Sequence, residues 1–265
     1  MLLNAVRFIV VIPARHASTR LPGKPLLTIA GKPMVVRVAE QAIKSGAQEV
    51  WVATDHAGIA DAVRQHDFNV CMTDTKHNSG TDRIAEVAKQ RDWPDDAIVV
   101  NAQGDEPLIP PELIASVATH LHNHPECAIA TACHAIHDDA AMRNPNIVKA
   151  VLDKNNNALY FSRAPIPWPR DAYSHQQPFP DDMLVLRHIG IYAYRVSFLR
   201  AYCGLTPPQI EQHEALEQLR ALYHGYKIGV FVAQHAPPGG VDTEPDLLAA
   251  RQVFESQTKT MENEK

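Results

Sequence analysis

The stretch RFIVVIPARHASTRLPGKPL (residues 7–26) joins an unbroken apolar run to a loop holding three prolines, one glycine and the basic side chains Arg15, His16, Arg20 and Lys24. A continuous apolar run of this kind suits a strand of a parallel sheet that is buried on both faces. The loop after it concentrates like charges that repel one another, so it either faces solvent or meets an anion that offsets the repulsion. Moving outward, EVWVATD (49–55), FNVCMT (68–73) and AIVVNAQ (97–103) repeat the strand pattern. Between them PMVVRVAEQAIKSG (33–46), HAGIADAVRQH (56–66), TDRIAEVAKQ (81–90) and PPELIASVATHL (110–121) carry helical periodicity. The alternation predicts a doubly wound α/β fold with a mainly parallel sheet and right-handed crossovers. Such sheets bind ligands beyond the carboxyl ends of their strands, which is where the basic loop lies.

From about Asn146 the rhythm changes. NIVKAVLD (146–153), ALYFSRA (158–164) and RHIGIYAYR (187–195) read as strands of a smaller inserted sheet, interrupted by the proline-rich APIPWPRDAYSHQQPFPDD (164–182). A helix (IEQHEALEQLRALYHG, 210–225), a strand (KIGVFVA, 227–233) and a closing helix (VDTEPDLLAARQVFESQ, 241–257) follow, with Asp242 and Thr243 where a helix N-cap belongs. The tail over 258–265 is expected to be disordered.

The chain has 265 residues, of which 45% are hydrophobic and 21% charged, so it reads as one globular domain over 1–265. A net charge of -5 argues against a broad nucleic-acid-binding face but is compatible with a compact phosphorylated ligand. The apolar run Phe8–Ala14 is too short to cross a membrane, no signal-peptide pattern is present, and a cytoplasmic location is expected. Cys71, Cys127, Cys133 and Cys203 form no CxxC pair and are expected as buried free thiols.

The common phosphate motifs are excluded. There is no GxGxxG, and Gly23-Lys24 is followed by Pro25 rather than Ser or Thr, so the loop is no Walker A element. Phosphate would be held by side-chain cations and the backbone N–H groups that a proline-stiffened loop leaves available. NAQGDEP (101–107) ends the fourth strand with an acidic pair, and Gly104 allows a sharp turn beside Asp105. Carboxylates at a strand end near a basic loop suit Mg²⁺, which takes oxygen ligands and shares them with phosphate; the alternative is that Asp105 only caps the turn before Pro107.

Together ARHASTRLPGKPL (14–26), SGTDR (79–83), NAQGDEP, FSR (161–163), RHIGIY (187–192), LEQLR (216–220) and GVDT (240–243) resemble the 3-deoxy-D-manno-octulosonate (Kdo) cytidylyltransferase family, in order from about Phe8 to Leu248. The opening motif alone marks the wider sugar nucleotidyltransferases; the set with RHIGIY and LEQLR marks the Kdo branch. The resemblance implies a nucleotidyltransferase-type domain, CTP and Kdo as substrates, Mg²⁺ as cofactor, and a homodimer. It also implies Arg15, Arg20 and Lys24 around the triphosphate, Arg83 as a further nucleotide contact, and Asp105 and Asp242 as metal ligands. Gln103, Arg163, His188, Tyr192, Glu217 and Gln218 match positions lining the family's sugar-acid pocket. His16 stands where tyrosine is common and Asp82 where glutamate is common; neither changes an essential charge.

The residue types fit that chemistry independently. Attack of a sugar hydroxyl on an α-phosphate builds negative charge that positioned cations stabilise, and the fork of Arg163 suits a substrate carboxylate, although a structural ion pair would also account for it. Two rival readings are a cytidylyltransferase for another sugar acid, such as a sialic acid or an amino analogue of Kdo, and a nucleotide-binding regulator without catalysis. Region 146–205 is read as the sugar-pocket wall and dimer contact, because Tyr160, Phe161, Ile166 and Trp168 sit in a segment too proline-broken to build its own core and need a partner surface; the alternative is that they pack back on the parent domain.

Overall fold

Strand β1 (Ile9–Ala14) is buried on both faces: Val10 and Ile12 pack into one cluster with Val35, Val38, Ile114 and Val117, while Ile9 and Val11 pack into another with Ile84, Val87, Phe198 and Leu199. The period-2 alternation of a strand sends these pairs to opposite faces, and helices cover both. These relations come from a computed structural model that describes residues 6–17, 21–77 and 79–263, with side chains of the last helix described through Ser256.

After β1 come a 3-10 turn over Lys24–Leu26, the ribbon β2 (Thr28–Ile29) and β3 (Lys32–Pro33), then α1 (Met34–Lys44), β4 (Glu49–Thr54), α2 (Ala57–Arg64) and β5 (Asn69–Met72). The chain continues through α3 (Gly80–Gln90), β6 (Ile98–Asn101), α4 (Pro111–Asn123), β7 (Ile129–Ile136), α5 (Asp139–Arg143), β8 (Lys149–Leu152), β9 (Ala158–Ser162) and α6 (Arg170–Ser174). It closes with β10 (Val185–Arg195), α7 (Val196–Tyr202), α8 (Gln209–Glu214), α9 (Gln218–Tyr223), β11 (Ile228–Ala233) and α10 (Glu244–Asn263).

The main sheet runs β11-β7-β10-β6-β1-β4-β5, with the β8–β9 hairpin attached to β10. β1 is parallel to β4 and β6, β4 to β5, and β7 to β11, whereas β10 is antiparallel to both β6 and β7. This is the expected doubly wound, mainly parallel sheet with a smaller antiparallel region at β8–β9; RHIGIYAYR, read as part of that smaller sheet, is instead β10, a central strand of the main sheet held between β6 and β7. The chain steps from β1 out to β4 and β5 and then returns to β6 on the other side of β1. That reversal opens a crevice at the carboxyl ends of β1 and β6.

Four further elements differ from what the sequence leads one to expect. No strand was expected between residues 121 and 146, yet β7 lies between β10 and β11; its alanine-rich IATACHAI has weak strand propensity, and the two neighbours hold it. The helix expected over 210–225 is two short helices, because Ala215 takes a left-handed backbone (φ 51°) and the Glu214 carbonyl accepts from Arg163. β8 begins at Lys149 rather than Asn146: the buried Lys149 ammonium donates to the carbonyls of Asn144 (3.0 Å), Ile147 (2.5 Å) and Arg163 (2.7 Å), folding 144–147 into a turn. α10 starts at Glu244, since the Asp246 carboxylate accepts from the N–H groups of Asp242 and Thr243. Its backbone is helical through Asn263, past the expected onset of disorder at 258, while 264–265 lie outside the described residues.

In the inserted region, Phe161 is fully buried in the protein's own core, so it does not need a partner surface. Leu159, Trp168 and Leu184 are 60%, 59% and 64% exposed, leaving the apolar surface of this region on different residues from most of those expected.

Candidate active site at the carboxyl ends of β1 and β6

The loop after β1 turns at Gly23, whose left-handed backbone (φ 64°) starts the 3-10 turn and swings Lys24 back across the strand ends. Lys24 Nζ donates to Asp105 Oδ2 at 2.6 Å and to Asp242 Oδ1 at 3.0 Å. Asp105 follows β6, and Asp242 precedes α10, so three distant segments meet at one ammonium group. The Asp105 carbonyl also accepts from Val241 N–H at 2.8 Å, which fixes the GVDT segment beside β6. Burial works against the charge of Lys24, but Asp105 first and Asp242 next outweigh it and raise its pKa above the usual lysine value.

Gly104 is required by close approach. A Cβ there would stand 2.7 Å from the Pro13 carbonyl oxygen. Gly104→Ala should push the ends of β1 and β6 apart, costing about 1–3 kcal/mol as overpacking does. It should also lower turnover by displacing Asp105; chemical denaturation and steady-state kinetics check the two effects.

The acidic pair divides by environment. Burial, and then the charge of Asp105, push the Glu106 carboxyl up to about 7, which leaves Asp105 as the member suited to a cation. Two carboxylate oxygens already converge on one positive centre, so the donor set fits a hard divalent cation with phosphate oxygens completing its shell. Among the described residues no cluster of three or more His, Cys, Asp or Glu side chains is arranged to hold a metal.

This cleft, about 400 Å³, is also lined by Arg15, whose guanidinium donates to the His77 carbonyl at 2.8 Å. Arg20 lies outside the described residues. Arg83, expected as a nucleotide contact, is fully buried instead: it pairs with Asp55 at 2.7 Å and donates to Thr73, tying α3 to the ends of β4 and β5. Ser79 caps the helix that carries it, accepting from the Asp82 N–H at 3.0 Å. His16 stacks on His56 with ring centroids 4.1 Å apart, a contact that anchors the basic loop.

Gly80 and Gln103 line both this cleft and a second cavity of about 280 Å³, so the two adjoin. His188, Tyr192, Glu217 and Gln218 all border the second cavity. β10 bulges between Ile189 and Tyr192, and Thr131 fills the irregularity by donating to the Ile191 carbonyl at 2.7 Å. With the Thr131 hydroxyl proton committed there, the 3.0 Å contact to His188 Nε2 is a donation from histidine to Thr131, which leaves Nδ1 as an acceptor. Burial pushes the His188 pKa down to about 3, so the ring is neutral. Burial also raises Glu217, partly offset by the Thr81 hydroxyl that donates to it at 3.2 Å.

Arg163 is not in the cavity wall. Its guanidinium donates to the carbonyls of Glu214 (2.6 Å), Pro145 (3.1 Å) and Ala215 (3.5 Å), pinning the junction from which Glu217 and Gln218 project. Arg220, to which the sequence assigns no role, braces the same junction through a two-pronged pair with Glu211 (2.8 and 2.5 Å). The LEQLR motif contained that signal, but its partner lies in α8.

A cleft that gathers cations and carboxylates at the strand ends and adjoins a second cavity has room for two substrates side by side, as nucleotidyl transfer requires; fold and site together define a nucleotidyltransferase. Within that class the chain belongs to the cytidylyltransferase family, whose model matches residues 9–228. It is similar to the solved structure of CMP:2-keto-3-deoxy-manno-octonic acid synthetase complexed with CTP, with 42% identity, 95% of this chain and 99% of that chain covered, and a TM-score of 0.86. Among the described residues no helix is long and apolar enough to cross a membrane.

Proposed function

We propose that this enzyme transfers the cytidylyl group of CTP to Kdo, giving CMP-Kdo and pyrophosphate, and thereby activates the sugar acid for lipopolysaccharide synthesis. The observation that carries the reading is the continuity, at Gly80 and Gln103, between the Lys24–Asp105–Asp242 cleft and the polar pocket. A triphosphate in the first would lie beside a hydroxyl held in the second, so the two reactants would be brought together.

In this reading Arg15, Arg20 and Lys24 neutralise the triphosphate, and Gln103, His188, Tyr192, Glu217 and Gln218 bind the sugar acid. Arg83 acts from behind, by fixing the strand ends that frame the cleft. Arg163 keeps its role toward the substrate carboxylate only if it exchanges backbone carbonyls for that anion; in the arrangement described it positions Glu217 and Gln218. Asp105 and Asp242 would hold Mg²⁺, which when bound supplies charge neutralisation on the phosphates. The enzyme works in the cytoplasm, where CTP is available.

Pyrophosphate release measured for a panel of nucleoside triphosphates crossed with a panel of sugar acids tests the assignment. Activity confined to CTP with Kdo is expected. Preference for a sialic acid or an amino analogue would overturn the substrate, and nucleotide binding without turnover would favour a regulator.

The chain is further proposed to act as a homodimer through 146–205. Leu159, Trp168 and Leu184 leave apolar surface on the region that carries the pocket wall, and a second copy would cover it. Light scattering at assay concentration should give twice the chain mass, and Leu184→Asp should shift it toward monomer with reduced activity. A fully active wild-type monomer would rule the dimer out.

A further inference from the structure

Six buried side-chain polar atoms among the described residues have no hydrogen-bond partner, and three of them belong to residues lining the 280 Å³ cavity: Asn101 Oδ1, Tyr202 OH and Gln218 Nε2. The three residues are 4%, 2% and 7% exposed. They come from separate elements, the end of β6, the end of α7 and the start of α9. Leaving a buried donor or acceptor unpaired is costly, so such atoms are normally satisfied by protein or by water. Half of the unpaired set belongs to residues that line one cavity, where a ligand or water would pair them.

We infer that Asn101 and Tyr202, neither of which has a role in the site described above, are specificity-determining residues that hydrogen-bond hydroxyl groups of the sugar acid alongside Gln218. The inference rests on the Kdo reading. An acceptor, a hydroxyl and an amide donor make up the complement of a polyhydroxylated ligand. Tyr202 is a donor at neutral pH, because burial and then the charge of Glu217 push its ionisation up. Its ring is held by the Arg220 guanidinium 4.5 Å from the ring centroid, and Arg220 is itself fixed by Glu211, so the hydroxyl is positioned before substrate arrives. A site built this way rejects a substrate that lacks the matching hydroxyl, since binding it leaves buried groups unpaired.

Tyr202→Phe removes the hydroxyl and keeps the ring, and Asn101→Leu removes the amide at similar volume. Each variant, with wild type beside it, would be assayed against Kdo and against deoxy analogues lacking one hydroxyl at a time. Tyr202→Phe should lower kcat/KM for Kdo by about tenfold to a hundredfold with KM for CTP unchanged. For one deoxy analogue, wild type and Tyr202→Phe should be equal; Asn101→Leu should give the same pattern at another position. Wild type alone should discriminate against those same analogues, a readout that survives even if a variant folds poorly. Unchanged discrimination in the folded variants, with or without a lower Tm, would mean that the unpaired atoms hold only water or structure, and would overturn the inference while leaving the Kdo reading intact. Failure of wild type to use Kdo with CTP would remove both.

Discussion

Asp105→Asn is expected to lower kcat by about 10³-fold while leaving the fold intact, and Asp242→Asn to do the same. Each carboxylate contributes one of the two oxygens that converge on the Lys24 ammonium, and a neutral amide is a poor ligand for a hard dication. Charge neutralisation on transferring phosphates supplies several kcal/mol to transition-state stabilisation, and each 1.36 kcal/mol lost is tenfold in rate. The exchange is nearly isosteric and both side chains are partly exposed, so Tm should move by no more than a few degrees. Steady-state kinetics over a Mg²⁺ series, with calorimetric titration of Mg²⁺ into the nucleotide complex, would measure both effects. Near-normal turnover of either variant at any Mg²⁺ concentration would dissolve the shared-metal assignment.

Lys24→Ala should separate two roles that the same contacts combine. As a triphosphate ligand whose contact strengthens when charge develops, Lys24 should contribute to kcat rather than only to KM, and a loss of about 10²–10³-fold is expected on the scale of a deleted transition-state donor. As the cation now held by Asp105 and Asp242, it also competes for the two carboxylates that would hold the metal. Its removal should therefore tighten Mg²⁺ binding to the enzyme without nucleotide, even as turnover falls. Calorimetry with Mg²⁺ alone reads the second effect independently of activity. An unchanged kcat with modestly weaker CTP binding would reduce Lys24 to a binding contact, and unchanged or weaker Mg²⁺ binding would show that ammonium and metal do not share the acids.

The sequence by itself determined the layer architecture and the location of the cleft. Unbroken apolar runs such as Phe8–Ala14 and Ala97–Val100 can be buried only in a covered parallel sheet, and a ligand crevice follows from the ends of such strands. It also contained the residue types of the candidate site, because Lys24, Asp105 and Asp242 sit in short local motifs. Tertiary structure alone decided which of these side chains line the cleft and the adjoining cavity. The family resemblance implies Arg83 and Arg163 as ligand contacts, but Asp55 and the carbonyls of Pro145, Glu214 and Ala215 take their guanidinium groups, and those partners lie 28 residues away in one case and up to 52 in the other. Strand β7 was likewise invisible because its alanine-rich segment has little preference of its own and is made a strand by β10 and β11. The pocket's unpaired atoms on Asn101, Tyr202 and Gln218 could not be read from local pattern either. A polar side chain announces its chemistry in the sequence, but whether its hydrogen bonds are already spent depends on chain segments that only folding brings beside it.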